Sequence, residues 1–360
     1  MSDHFPPQVI VKILKRCQVP TILRCRCVSK QWRAMIDEPD FIKQHIDYPS
    51  GANTNFSLYI KESWLCKPNL SYRQMMLHHG FLVGSCNGLV CLLQRTYSAV
   101  IINPSTQEQM FISGTLPIFF FEQDDEVFKC DYYGEMTGYG FGYDNVTNDY
   151  KIVGIVETSA IVRLVIYLVK KRETKVFEIP YLIDNKTYYY NYFMGVHTGG
   201  ALHWVVCRFD DSTRKKRVIL AYDVGTDELR ELPQPDYSAS DCYINISLLG
   251  TWLCLCANYG NQGLDFDVWV MKEYGVKESW TKLFSIPFAT FMNLGIREMR
   301  PLGYSENGSQ ILLELYVSYS KIRLVWYDIE EKRVGETQRE GKFESIVYLR
   351  SSNRLSSMIR

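Results

Sequence analysis

Between residues 87 and 336 one pattern returns five times: a small or turn residue, an apolar strand, a second strand ending in a turn, then a third strand. It reads as NGLVCLL to VIINPSTQEQMFI, DNVTNDYKIVGI to LVIYLVKKRETKVFEI, and GGALHWVV to VILAYDVGTDELREL. It recurs as GTWLCLCANYG to FDVWVMKEYGVKESWTKLFSI and as NGSQILLEL to RLVWYDIEEKRVGE. The turns near Asn103, Val169, Asp223, Met271 and Asp328 lie roughly 50 to 65 residues apart, the length of a four-stranded propeller blade. From about Thr54 onward the alternation is period-2 and rich in β-branched and aromatic residues. The expectation is a mainly β protein whose principal unit is a β-propeller. About 295 residues at about 50 per blade give six blades or so, with Ser345 to Leu349 placed to pair with the first strand and close the ring. Two stacked β-sheets with coincidental spacing are the alternative.

Ahead of the strands the pattern is helical. Pro6 and Pro7 stand where a first helical turn tolerates proline, and Val9, Ile10, Ile13, Leu14 and Cys17 recur at helical spacing. Val19-Pro20-Thr21 restarts a second helix, in which Ile22, Leu23, Cys27, Val28, Trp32, Met35 and Ile36 follow a period near 3.6 opposite Arg24, Arg26, Lys30 and Arg33. Asp37-Glu38-Pro39 ends it, and Asp40 is placed to cap a third helix holding Phe41, Ile42 and Ile46. Three helices in about forty-five residues bury little on their own, so part of their apolar surface is expected to meet a partner or the next domain. The expected boundaries are a helical domain 1–46, a linker 47–53 (DYPSGAN), a β domain 54–350 and a tail 351–360.

Charge excludes some partners. Forty basic and forty acidic side chains cancel, so no overall field favours nucleic acid or an anionic membrane. Residues 1 to 45 are less even: eight bases against four acids, a net of +4, which suits an acidic partner or a solvated basic face. Apolar runs such as Leu248 to Ala257 fall short of the roughly 18 residues of a membrane span, and no apolar segment precedes a cleavage site. Eleven cysteines without CxxC pairs suit reduced thiols. A cytoplasmic or nuclear location is expected.

Motifs for chemistry are incomplete. Gly138-x-Gly140-x-Gly142 is bounded by strand patterns rather than followed by a helix, so it reads as glycines easing strand packing and not as a dinucleotide loop. The histidines, including His78, His79, His197 and His203, lack partners at metal-ligand spacing. Ser85 lacks the last glycine of a nucleophile elbow, since Asn87 stands there. Asp144, Asp149, Asp223, Asp227 and Asp328 fall in turns, where aspartate serves its own backbone. No catalytic, metal-binding or cofactor-binding residue is expected.

Two aromatic segments read instead as surface loops able to recognise a target. One is FFFEQDDEVFKCDYYGE, in which Phe119, Phe120, Phe121, Tyr132 and Tyr133 accompany Glu122, Asp124, Asp125 and Glu126; its acidity favours a basic target. The other is Tyr181 to Phe193, with Tyr188, Tyr189 and Tyr190. Uninvolved surface loops are the alternative for both.

The run from Phe5 to Phe41, with Val28-Ser29-Lys30-x-Trp32-Arg33, Ile36 and Pro39-x-Phe41, resembles an F-box. GSCNGLVCL, INPSTQE, GYGFGYDNVTNDYKIV, GGALHWV, DVWVMKEYGVKESWTKLF and LVWYDIEEKRV are similar to the F-box-associated, kelch-related domain of a large plant receptor family, which includes the S-locus F-box proteins of pollen. The resemblance implies the substrate-recognition subunit of an SCF-type E3 ubiquitin ligase, itself without catalytic residues. Its box would dock on a Skp-type adaptor, and through it on cullin and RING subunits. The propeller would bind a protein target for ubiquitination and proteasomal degradation; for pollen receptors in self-incompatibility the targets are secreted ribonucleases. Adaptor contact would fall to Pro6, Ile10, Ile13, Leu14, Val19, Pro20, Leu23, Val28 and Trp32, part of the set packing the helical core instead. The rival readings are a propeller glycosidase-like enzyme, which needs a pair of channel-facing carboxylates, and an F-box protein acting outside the ligase.

Overall fold

The computed structural model describes residues 6–46, 56–62, 80–94, 98–112, 135–157, 161–183, 194–208, 216–237, 242–259, 265–287, 289–291, 296, 298–305, 307–318, 321–341, 343–352 and 355. Four short helices come first: α1 (Pro7–Leu14), α2 (Val19–Cys25), α3 (Lys30–Ile36) and α4 (Pro39–Ile46). The second expected helix is thus two. The 3.6 period runs unbroken through Arg26 to Ser29, but Ser29 takes extended backbone angles and its Oγ accepts a hydrogen bond from the Trp32 N–H at 3.1 Å. A serine that satisfies one of the free amides at a helix start begins a new helix there. Asp40 also differs from expectation: α4 begins at Pro39, so Asp40 sits inside the first turn, where its charge favours the positive end of the helix rather than capping it. Leu14, Ile22, Ile36 and Phe41 form the core of this unit, with Ile10, Val11, Cys17, Cys25 and Trp32 packed around them.

The strands that follow form antiparallel sheets in chain order. The first is β2 (Gly80–Cys86), β3 (Leu89–Gln94), β4 (Ala99–Asn103) and β5 (Glu108–Ile112); the second is β6 (Glu135–Asp144), β7 (Asp149–Glu157), β8 (Val162–Leu168) and β9 (Glu173–Ile179). The third has β12 (Ala201–Arg208), β13 (Lys216–Asp223) and β14 (Leu229–Leu232), its inner strand split into β10 (Tyr181–Ile183) and β11 (Val196–Thr198), both paired with β12. The fourth is β15 (Tyr243–Leu249), β16 (Trp252–Asn258), β17 (Phe266–Met271) and β18 (Trp280–Ile286). The fifth is β19 (Glu298–Tyr304), β20 (Gln310–Ser318), β21 (Lys321–Asp328) and β22 (Arg333–Gly341).

A sixth, two-stranded sheet joins the ends of the chain: β1 (Phe56–Glu62) runs antiparallel to β23 (Phe343–Leu349), from Phe56 opposite Leu349 to Glu62 opposite Phe343. The inner strands touch in cyclic order, β23, β2, β6, β11 with β12, β15, β19 and again β23. That arrangement is a propeller and excludes two stacked sheets. Five sheets have four or more strands against an expectation of about six, and the sixth position is held among the described residues by the β1–β23 pair.

The five turn positions marked in the sequence all fall at the hairpin between the third and fourth strands of their sheets. The chemistry repeats with them. Asn103 accepts hydrogen bonds from the backbone N–H groups of residues 105 and 106, Asp223 from those of 225 and 226, and Asp328 from those of 330 and 331. Four residues further on, Gln107, Asp227 and Lys332 have positive φ (59°, 63° and 52°). A side chain that caps its own turn and a left-handed residue that closes it give a hairpin matched to the twist of its strands. Between β2 and β3, Asn87 and Gly88 both have positive φ (50° and 80°), the two-residue turn that such a hairpin favours.

Gly140 lies at a seam between the second and third sheets. A Cβ there would stand 2.8 Å from both Leu202 and Trp204, so this glycine is what lets the two sheets close on each other.

Candidate docking site

The helical unit exposes apolar side chains that its core does not use. On α1, Val9, Lys12, Ile13 and Arg16 share the outward face while Ile10, Leu14 and Cys17 turn inward, as a 3.6 period requires. On α2 and the turn after it, Pro20, Arg24, Cys27 and Val28 face out while Val19 and Ile22 are buried. Ile13 is 55% exposed and Val28 63%, unusual for β-branched residues in so small a unit.

The nine residues expected to grip an adaptor therefore divide. Pro6, Ile13, Pro20 and Val28 are exposed; Ile10, Leu23 and Trp32 are half-buried against the helical core; Leu14 and Val19 are fully buried, 2% and 1% exposed, and in this structure cannot touch a partner. Leu14 is buried in one cluster with Ile22, Ile36 and Phe41, the core that the four helices close around. Arg26 Nε lies 2.7 Å from Asp37, tying the turn after α2 to the end of α3. His45 adds a contact from α4 to the Cys17 carbonyl oxygen at 2.9 Å.

Residues 119–126, 132–133 and 188–190, the expected target-binding segments, lie outside the described residues, as does the expected linker 47–53. Tyr181 to Ile183, read as the start of a loop, belong instead to β10 and pair with Val206 to Arg208.

Inside the propeller the polar side chains do structural work. Asp144 accepts from the backbone N–H groups of Val146 and Thr147, and Asp149 from those of Lys170 and Lys171. Cys86 and His197 approach to 3.9 Å, a spacing that invites a nucleophilic reading. Burial answers it: the thiol is pushed well up and the imidazole down to about 4, so both are neutral near pH 7. His203, also lowered to about 4 by burial, spans the Val196 carbonyl oxygen (2.8 Å) and the Tyr274 hydroxyl (2.7 Å).

These histidines make the fold acid-sensitive. Unfolded histidine protonates near pH 6.5, whereas the folded groups resist until about 4, so the unfolded chain binds more protons between those values. Stability is expected to be full above about pH 6.5 and to fall steadily toward pH 4. Urea midpoints at pH 7, 6, 5 and 4.5 check this, and H197Q with H203Q should flatten the slope; an unchanged slope in that variant would refute the assignment.

Two buried ionic clusters escaped the sequence reading. Lys151 Nζ reaches Asp144 (3.0 Å), Asp227 (2.7 Å) and the Val224 carbonyl oxygen (2.5 Å), joining the second sheet to the third. Burial alone would raise Asp227, but hydrogen bonds from Lys151, Lys175 and Tyr222 outweigh it and pull the carboxyl down to about 2. In the fifth sheet Glu314 binds Arg300 (2.6 Å), the Tyr316 hydroxyl (2.6 Å) and the Ser345 hydroxyl of the closing strand (2.5 Å).

Residues 33–352 match the family described as F-box associated beta propeller domain, and residues 3–44 match the F-box domain. The F-box protein CPR1 of Arabidopsis thaliana is 28% identical over 359 residues, covering 92% of this chain and 83% of that protein. The F-box/kelch-repeat protein At3g23880, also of Arabidopsis thaliana, is 29% identical over 341 residues, covering 87% and 86%.

Proposed function

Because the chain belongs to the family that joins an F-box to an F-box-associated β-propeller domain, we propose that it is the substrate receptor of an SCF-type E3 ubiquitin ligase. The observation that carries the reading is the exposure of Val9, Ile13 and Val28 on a helical unit whose own core is already filled by Leu14, Ile22, Ile36 and Phe41. Such a surface suits a Skp-type adaptor, and cullin and RING subunits follow through it. The propeller then holds a protein target beside the charged ubiquitin carrier. Tethering raises the effective concentration of the target's lysines without any catalytic group from this chain.

Of the turn aspartates, Asp144, Asp149, Asp223 and Asp328 are committed to backbone amides, and Asp227, expected to serve its own turn, is committed instead to Lys151, Lys175 and Tyr222, which favours the receptor over the enzyme. The acidic composition of residues 119–135 favours a basic target, of which a secreted ribonuclease of pollen self-incompatibility is one. The described cysteines are free, six of them buried in the propeller, which suits the reducing cytosol or nucleus. No helix among the described residues is long and apolar enough to cross a membrane.

The test is co-expression. The full chain should co-purify with a Skp-type adaptor in equal amounts and recruit cullin, and removal of residues 1–46 should abolish both. A folded full chain that leaves the adaptor behind sinks the proposal.

A further inference from the structure

Between Pro6 and Ile36 the chain carries seven basic side chains and no acidic one. Two of the seven turn to Asp37: Arg26 at 2.7 Å and Arg33 at 3.8 Å. Lys12, Arg24 and Lys30 are exposed and form no ion pair among the described residues. Their placement follows the apolar surface. Lys12 stands beside Ile13 on the outward face of α1, while Arg24, one turn before Val28, and Lys30, two residues after it, flank the exposed valine.

A merely solvated basic face would bear charge alone. Here each strongly exposed apolar side chain has a cation within a turn of it along the chain, and none of the three cations is held in an ion pair among the described residues. An apolar patch rimmed by like charges is complementary to an apolar groove rimmed by the opposite charge, and such an arrangement steers encounter more than it adds affinity.

We infer that Lys12, Arg24 and Lys30 steer the helical unit onto an adaptor surface whose apolar groove is bordered by carboxylates. The inference rests on the adaptor reading above and adds the partner's chemistry and the division of labour. The apolar residues set how long the complex lasts; the three cations set how fast it forms.

Association of the full chain with an immobilised recombinant Skp-type adaptor, measured from 50 to 500 mM NaCl, tests it. The association rate constant is expected to fall about tenfold across that range, as a screened attraction must. In K12Q/R24Q/K30Q it should start about tenfold lower at 50 mM and barely respond to salt, with dissociation within about twofold of wild type. The salt series on the unmodified chain decides the matter even if the triple variant folds poorly. An association rate that changes less than about twofold with salt overturns the inference while leaving the adaptor reading intact. Failure to bind at any salt concentration overturns both.

Discussion

Replacing Ile13 and Val28 together by aspartate is expected to abolish co-purification with the adaptor while leaving the propeller's thermal unfolding within about 2 °C of wild type. Each side chain would lose about 1.5–3 kcal/mol of apolar burial at an interface, and each new carboxylate would have to be desolvated there. Together these exceed about 4 kcal/mol, a loss of roughly a thousandfold or more in affinity. The helical unit tolerates the change because both positions already face solvent, at 55% and 63% exposure. Retained adaptor binding by a folded I13D/V28D chain would show that the exposed apolar surface is not the docking face.

Leu14→Ala and Val19→Ala should also weaken adaptor binding, through a different route. Both side chains are buried, and truncation of such a residue costs about 2–5 kcal/mol in leucine's case, enough to unfold a unit with so small a core. Their signature is loss of helical circular dichroism together with loss of binding, whereas I13D/V28D loses binding alone. The sequence could not separate these two sets. A 3.6-period stripe marks which residues share a face, but α1 and α2 are each about two turns long and both of their faces carry apolar residues. Which face turns inward is decided by packing among four helices. The split at Ser29 was hidden for the same reason, since the apolar period runs through it and only the serine itself betrays the new start.

In the propeller the reverse held. Its repeat was legible because turns are local chemistry: an asparagine or aspartate that accepts from amides two and three residues on, with a left-handed residue four on, leaves the same trace at Asn103, Asp223 and Asp328. Closure by the last strand was legible too, as an apolar segment left over after the fifth repeat; it is β23, paired along its length with β1. The buried ions were not. Lys151 meets Asp227, a partner 76 residues away, and Glu314 meets Ser345, 31 residues away. Within a strand a charged residue ordinarily marks the solvent face. A partial signal did exist at Glu314: although Gln310 and Ser318 lie further along the same face of β20, its nearest neighbours on that face are Leu312 and Tyr316, and the opposite face carries Ile311, Leu313, Leu315 and Val317. A lone charge in such a strand is a buried charge with a partner elsewhere.

That partner is what makes Glu314→Ala the most damaging single change expected in the β domain. Glu314 is fully buried, and it holds Arg300 through two hydrogen-bonding contacts, Nε at 2.8 Å and Nη2 at 2.6 Å. Its other oxygen receives the Ser345 hydroxyl of β23 at 2.5 Å, and Arg300 itself donates to the Ser345 carbonyl oxygen at 3.0 Å. One carboxylate thus joins the fifth sheet to the strand that closes the ring. Removing it takes from a mostly buried guanidinium the carboxylate it binds at 2.6 Å, which costs about 3–5 kcal/mol. For a domain of this size that is a drop in Tm of about 6–15 °C. The damage should be local before it is global. Amide exchange across the β1–β23 pairs should speed by tenfold or more, while the β7–β8 pairs keep their protection until global unfolding. An R300M/E314L double replacement, which removes both charges and restores apolar volume, should recover much of the loss, because a well-packed apolar pair can match a buried ion pair. If E314A unfolds within about 2 °C of wild type, or if exchange rises evenly over all the sheets, then ring closure depends on the strand pairing of β1 with β23 and not on this carboxylate.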